Sequence, residues 1–343
     1  MEGTLIGGSF LAILSGLMNG SFTLPMRFLG RWEWENVWSI FIFVSCLLMP
    51  TALITVIAPQ SWVVIAHAPT RSVWIAVIAG FAWGFGAVMF GQSVSAIGIS
   101  LANTFVLAIS SALGSLLPLL ILSPDKLFQH TGKMILAGVL IEIAGIVLCG
   151  VAGRKREGAI GVGADRGNLV GRARPVGVAL LLAVGSGVLS AVFNIGFALA
   201  QPIAEYGHAA GLTEFASTNL IWAIMLAAGS LANLGFCIVL LAKNRSFAKF
   251  GQRGGLRLYS LSSLMALLWG GSIFVYGAAA PRLGPLGPSI GWPLSLATGL
   301  LLANAIGIGV GEWRGAPNGT RTWMYSGIVV LLIAIVVLSR AGY

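Results

Sequence analysis

Arg154-Lys155-Arg156-Glu157-Gly158-Ala159-Ile160-Gly161-Val162-Gly163-Ala164-Asp165-Arg166-Gly167-Asn168-Leu169-Val170-Gly171-Arg172-Ala173-Arg174-Pro175 is the longest polar stretch of the chain, and what lies on either side of it decides the fold. Working outward, the sequence is a series of apolar runs with short gaps, five before the stretch and five after it. They cover residues 4–25, 36–58, 73–97, 100–122, 134–152, 175–202, 214–242, 256–280, 285–311 and 323–339. Each is close to the ~20 apolar residues that cross a bilayer. In hydrocarbon a segment must satisfy its own backbone polar groups, so each run reads as a helix. Pro25, Pro50, Pro118, Pro202 and Pro293 fall in or at the ends of runs, where neighbouring helices re-satisfy the carbonyls that proline frees. An odd number of spans per half forces the second half to insert upside down relative to the first, as in many inverted-repeat membrane proteins. The expected fold is all-α and polytopic, with ten transmembrane helices in two inverted five-helix repeats. The repeats are residues 1–153 and 175–343, joined by a basic linker over 154–174.

Composition agrees with a chain whose surface faces lipid. Of 343 residues 57% are hydrophobic and 9% charged, against about 25% charged in soluble domains. The net charge of +10 does not point to nucleic acid, because the basic residues lie in the gaps between apolar runs. Alternate gaps, beginning with the first, hold 15 of the 20 Lys and Arg, and the opposite side with both termini holds 5. The basic side is expected to be cytoplasmic, which puts both termini outside. The chain opens Met1-Glu2-Gly3, with no basic n-region or small-residue cleavage site, so the first run is expected to be a retained span. Cys46, Cys149 and Cys237 lie inside apolar runs and behave there as small hydrophobes. His67, His130 and His208 fall in loops without metal-ligand spacing. No Gly-rich phosphate loop ending in Lys-Ser/Thr occurs, so the chain encodes no nucleotide motor and calls for no cofactor. Asn318-Gly319-Thr320 matches a glycosylation acceptor but falls on the predicted cytoplasmic side.

Internal similarity supports the division. A shift of 186 lays Trp83-Gly84 on Trp269-Gly270, Phe90-Gly91 on Tyr276-Gly277 and Gly98 on Gly284. A shift of 175 lays Ser15, Asn19 and Phe22 on Ser190, Asn194 and Phe197. Span 3 therefore pairs with span 8, and span 1 with span 6.

Arg31-Trp32-Glu33-Trp34-Glu35-Asn36-Val37-Trp38-Ser39, leading into span 2, resembles the signature of the bacterial L-rhamnose–proton symporter family. So do Trp83-Gly84-Phe85-Gly86, Asn233-Leu234-Gly235-Phe236-Cys237, Ile290-Gly291-Trp292 and Glu312-Trp313. The resemblance runs nearly end to end. It implies the drug/metabolite transporter superfamily, ten helices in two inverted repeats, a bacterial inner membrane, and proton-driven uptake of a deoxyhexose. The chain departs from the family pattern at Asn103, Ser272 and Pro288, positions that bear on which sugar is taken.

A sugar site needs a few hydrogen-bonding side chains and an aromatic face inside a mostly apolar cavity, near the midplane in inverted-repeat transporters. Mid-span amides are therefore informative: Asn19, Gln92, Asn103, Asn194, Gln201 and Asn304. Each either meets substrate or binds a neighbouring helix as structural glue. The repeat-related Asn19 and Asn194 are the strongest of these. Among aromatics, Trp32, Trp34, Trp38, Trp62, Trp74, Trp313 and Trp323 lie near span ends, where interfacial anchoring is the simplest reading. Trp83, Trp269, Tyr276 and Trp292 lie deeper, beside or near glycines that clear space, and Phe22 is repeat-related to Phe197. The candidate substrate set is Asn19, Phe22, Trp83, Gln92, Asn103, Asn194, Gln201, Trp269, Tyr276 and Trp292.

Proton coupling needs a titratable group reachable from each side in turn. Of the acidic residues only Glu142 is mid-helix, and an intramembrane carboxylate is a functional candidate by default. In the superfamily the fifth and tenth helices tend to be peripheral. Glu35 and Glu214, at the starts of spans 2 and 7, are candidates for gating, and Glu35 is the second candidate for coupling. Glu205, Glu312 and Arg27 sit at other span ends, where long side chains reach the interface. A carrier or exporter of another small metabolite fits the same pattern, since function lives in the site rather than the fold. An intramembrane enzyme would want clustered carboxylates or a nucleophile with a positioned base, and the acids here are scattered.

Overall fold

The computed structural model describes residues 2–29, 32–160, 175–252 and 255–342. The described residues contain helices and connections but no strand. Among the described residues ten helices are long and apolar enough to cross a membrane, and they are numbered in chain order as spans. Spans 1 to 5 are Thr4–Met26, Trp34–Ile57, Thr70–Val94, Ile99–Leu122 and His130–Ala159. Spans 6 to 10 are Val176–Ala209, Glu214–Lys243, Gly255–Arg282, Gly284–Gly309 and Asn318–Arg340.

The elements depart from the sequence expectation in three places. The helix of span 5 continues to Ile160, into the stretch expected to link the two halves, whose residues 161–174 lie outside those described. Charges end a membrane run, but they do not end a helix that has partners waiting. Arg154 Nη1 donates to Ile97 O at 3.2 Å, and Glu157 Oε1 accepts from the backbone N and Oγ of Ser100 at 3.2 and 2.7 Å. Span 6 turns at Ala200 and resumes as Gln201–Ala209 with Pro202 in its first turn, where a missing N–H does no harm. Span 2 widens into π-turns at Phe43–Leu48 and Leu53–Ile57, on either side of Pro50.

Span 3 packs on spans 6 and 7, and span 8 packs on spans 1 and 2. Span 4 packs on span 6 and span 9 on span 1, while 4 meets 5, 9 meets 10, 5 meets 10, and 4 meets 9. Each contact has a counterpart five spans on. Lipid gives helices no hydrophobic reason to associate, so close backbone approach through small residues has to do it. Spans 3 and 7 cross at Gly80 and Gly84, where an added Cβ would lie 2.1 Å from Met225 O and 2.4 Å from Gly229 O. Spans 1 and 9 cross at Gly16 and Gly20, with Ser295 O at 2.5 Å and Gly299 O at 2.3 Å from the same hypothetical atoms. Gly307 and Gly311, at the same four-residue spacing, do not form a crossing of this kind. Gly307 lies under Glu312, and Gly311 turns the chain at φ +81°.

Several terminal tryptophans are not interfacial anchors. Trp62, Trp74 and Trp323 are exposed, but Trp32 and Trp313 are buried. Trp32 Nε1 donates to Lys249 O at 3.1 Å, and its ring meets Phe250 and Tyr259 edge-on. All three cysteines are buried and free.

Candidate substrate cavity

A cavity of about 490 Å³ lies between the two halves. Its lining comes from the C-terminal ends of spans 1, 3, 5 and 9 and the N-terminal ends of spans 2, 4 and 10, with the middles of 6 and 8 behind. It therefore approaches the surface that carries the 1–2, 3–4, 5–6 and 9–10 connections. The rings of Trp83 and Trp269 stack at 5.3 Å and 13° on its wall. Phe193 backs Trp83 at 4.7 Å, and Phe41 meets Trp269 edge-on at 5.5 Å. Phe193, off the wall, holds Trp83 from behind, and Phe41 shares the wall with Trp269, so the aromatic face is preorganised by ring-to-ring packing.

Three amides from three different helices face the same space: Asn19, Asn103 and Asn304. Asn19 and Asn103 are half-buried, with no side-chain hydrogen bond to another described residue. Asn304 Nδ2 is buried without a partner. Buried donors are nearly always satisfied, so an orphan on a cavity wall marks a place for a ligand or water. Phe22, Ser186 and Ser190 complete the wall. Ser186 Oγ is committed to Gly86 O at 2.8 Å, whereas Ser190 Oγ accepts from Ser110 Oγ at 3.0 Å and keeps its own proton to offer. Trp38, grouped by sequence with the anchors, also lines the cavity, and its Nε1 donates to Asn233 Oδ1 at 3.2 Å. At the mouth Arg156 pairs with Glu312 at 3.1 Å and lies over Trp313 at 5.0 Å.

Asn194, Tyr276 and Trp292 lie off the cavity wall, in a bonded cluster beyond its closed end. Pro118 has no N–H, so the carbonyl four residues earlier, Gly114 O, loses its helical partner. Asn194 Nδ2 from span 6 supplies one at 2.8 Å, and also donates to Pro288 O at 3.0 Å. Tyr276 Oη donates to Asn194 Oδ1 at 2.7 Å, and Trp292 Nε1 donates to Ser110 Oγ at 3.3 Å. Trp222 stacked on Phe197 at 4.3 Å seals the same layer. Gln201 donates to Phe197 O at 3.3 Å, and half-buried Gln92 is not on the wall. Of the three departures from the family pattern only Asn103 meets the cavity. Ser272 Oγ donates to Trp269 O at 2.6 Å, and Pro288 serves Asn194 through its carbonyl.

The two candidate carboxylates are placed differently. Glu35 is buried away from the cavity, accepting from Asn244 Nδ2 at 2.9 Å and Ser246 Oγ at 2.6 Å, so it ties the start of span 2 to the 7–8 connection. Glu142 is fully buried in span 5, where its Oε2 accepts from Ser111 Oγ and its Oε1 has no partner. Ile146 and Cys149, one and two turns along the same helix, line the cavity. Ser111 follows Ser110, which joins Ser190 on the wall. Sequence reasoning missed Ser190 as a wall residue although it had already matched Ser190 to Ser15. It also missed the Arg156–Glu312 pair, which only folding brings together across 156 positions.

The profile of the L-rhamnose-proton symport protein family matches residues 1–342. The chain belongs to this family. Among its relatives is an L-rhamnose-proton symporter of Citrobacter koseri, 27% identical over 341 residues and 97% of both chains. L-rhamnose-proton symporters of Shigella boydii serotype 18 and of Escherichia coli strain SMS-3-5 are each 26% identical over the same share. Membership of the symport family makes the chain a multi-pass membrane transporter rather than an enzyme.

Proposed function

We propose that the chain takes up L-rhamnose, or a closely related deoxyhexose, together with protons, by alternating access in a bacterial inner membrane. The observation that carries the site assignment is the set of unpaired amides, Asn19, Asn103 and Asn304, around the Trp83–Trp269 pair. Amides match sugar hydroxyls as donor and acceptor at once, while the aromatic wall suits the C–H face and methyl group of a deoxy sugar. The names of the relatives support the same substrate.

The i, i+5 correspondence of helix contacts supports two inverted repeats, residues 1–153 and, after the linker, 175–343. With the basic side cytoplasmic and the termini outside, the cavity faces inward. The Asn194–Tyr276–Trp292 layer is then the closed outer side. Rocking of the halves opens that layer and closes the mouth at Arg156 and Glu312. Glu142 carries the proton. It is buried against Ser111, one turn from the cavity lining, and its second oxygen is free to change partners.

Uptake of radiolabelled L-rhamnose into proteoliposomes, with and without an inward proton gradient, tests the reading. Gradient-dependent uptake abolished by a protonophore is expected. Glu142→Gln keeps the shape and an acceptor for Ser111, so it should bind the sugar yet lose accumulation. Gradient-independent uptake by the native chain would remove the coupling assignment, and no uptake by folded protein would remove the substrate. Full accumulation by Glu142→Gln would clear Glu142 of the role.

A further inference from the structure

A second groove, of about 730 Å³, lies on the perimeter of the bundle, at the opposite ends of spans 1, 5 and 10 from those that line the sugar cavity. Its floor is the start of span 1, the start of span 5 and the end of span 10. Ile6, Phe10, Ile13 and Met134 make an apolar trough, while His130 and Arg340 stand among its lining. Ile6 and Phe10 are 60% and 64% exposed, so the trough is continuous with the surface that meets acyl chains. Among the described residues neither Arg340 nor His130 has an ion pair or a side-chain hydrogen bond. Ser9 also lines the groove, and although it is only 8% exposed its Oγ has no hydrogen-bond partner. A lone guanidinium, an imidazole and an orphan hydroxyl beside an oily trough are the complement of one ligand class.

We propose that this groove holds an anionic phospholipid. The phosphate rests on Arg340 and His130, Ser9 Oγ donates to a phosphate or ester oxygen, and an acyl chain runs along Phe10, Ile13 and Met134. An anionic headgroup is favoured over a zwitterionic one because, among the described residues, no acidic side chain lines the groove to receive an ammonium. A soluble anion would leave the trough unfilled. By joining span 1 to spans 5 and 10, the lipid ties together three helices whose other ends line the cavity.

The test places a reporter in the trough. Phe10→Trp is made in the full chain and reconstituted into phosphatidylethanolamine vesicles with a minor share of phosphatidylglycerol, the bromine quencher carried on one lipid or the other. The extra fluorescence over the native chain reports which lipid touches residue 10. Quenching by brominated phosphatidylglycerol is expected to correspond to about five-fold enrichment over its share of the bilayer. Adding Arg340→Gln and His130→Gln should return it to that share. Quenching in simple proportion to lipid composition in Phe10→Trp alone would overturn the proposal without depending on the folding of the double variant. Enrichment that survives loss of both basic groups would overturn it as well.

Discussion

At the scale of single residues, the question that the sequence poses is which buried amides are glue and which are bait. Asn194 is committed: it completes the hydrogen bond that Pro118 denies to Gly114 O, and it holds Tyr276 Oη. Asn194→Ala should therefore lower thermal stability by about 1–3 kcal/mol, the penalty for buried polar groups left unpaired. Pro118→Ala in the same chain restores the N–H for Gly114 O and should recover part of the loss in a double-mutant melting series. A full, unrecovered loss would mean that the Gly114 carbonyl is not the group that matters. Asn103→Ala, by contrast, breaks no hydrogen bond between described residues. It should melt near the native temperature and weaken L-rhamnose binding about tenfold by calorimetry, as expected for one lost hydrogen bond of about 1.4 kcal/mol. Loss of stability without loss of binding would make it structural. That these amides had to face protein or cavity was legible from their position in apolar runs. Which did which was not, because it depends on helix rotation and on a proline one helix away.

At the scale of elements, the spans were legible because bilayer thickness sets their length, while their ends and joints were not. The helix of span 3 runs on to Ile97 and joins span 4 through Gly98 alone, at φ +84° and ψ 157°, a region open essentially only to glycine. A Cβ there would also meet Glu157 Oε2 at 2.7 Å. The sequence assigned Glu157 to the linker, since a charge after a hydrophobic run signals the membrane edge; only the fold brings it onto Ser100. Gly80 tests the other use of glycine, close crossing. Gly80→Val must part spans 3 and 7 and should destabilise the protein by about 2 kcal/mol or more. Gly235→Ala, with open space around its Cβ, should melt at or above the native temperature. Equal effects of the two substitutions would show that the 3–7 crossing is not as close as described.

At the scale of the molecule, the ten-span plan and the transport family could be read from the chain, and the direction in which the cavity faces could not. Direction is a property of one state in a cycle, set by which end of the helix layer is sealed. Here the sealed layer is polar and aromatic, built from Asn194, Tyr276, Trp292, Trp222 and Phe197, while the other end holds a salt bridge at a mouth. A label that cannot cross the membrane reads this asymmetry directly. Cys149 lines the cavity and is first replaced by alanine; Asn304→Cys then supplies a single thiol on the wall. In the resting state an impermeant maleimide should modify residue 304 in inverted vesicles, where the cytoplasmic face is outward, much faster than in intact cells. L-Rhamnose should slow the reaction by occupying the same space. Preferential labelling from the periplasmic face would reverse either the orientation or the state, and a tag on the C-terminus, probed in the same two preparations, separates those outcomes. If labelling is equal from both faces, the Asn194 layer is no barrier, and the alternating-access reading fails with it.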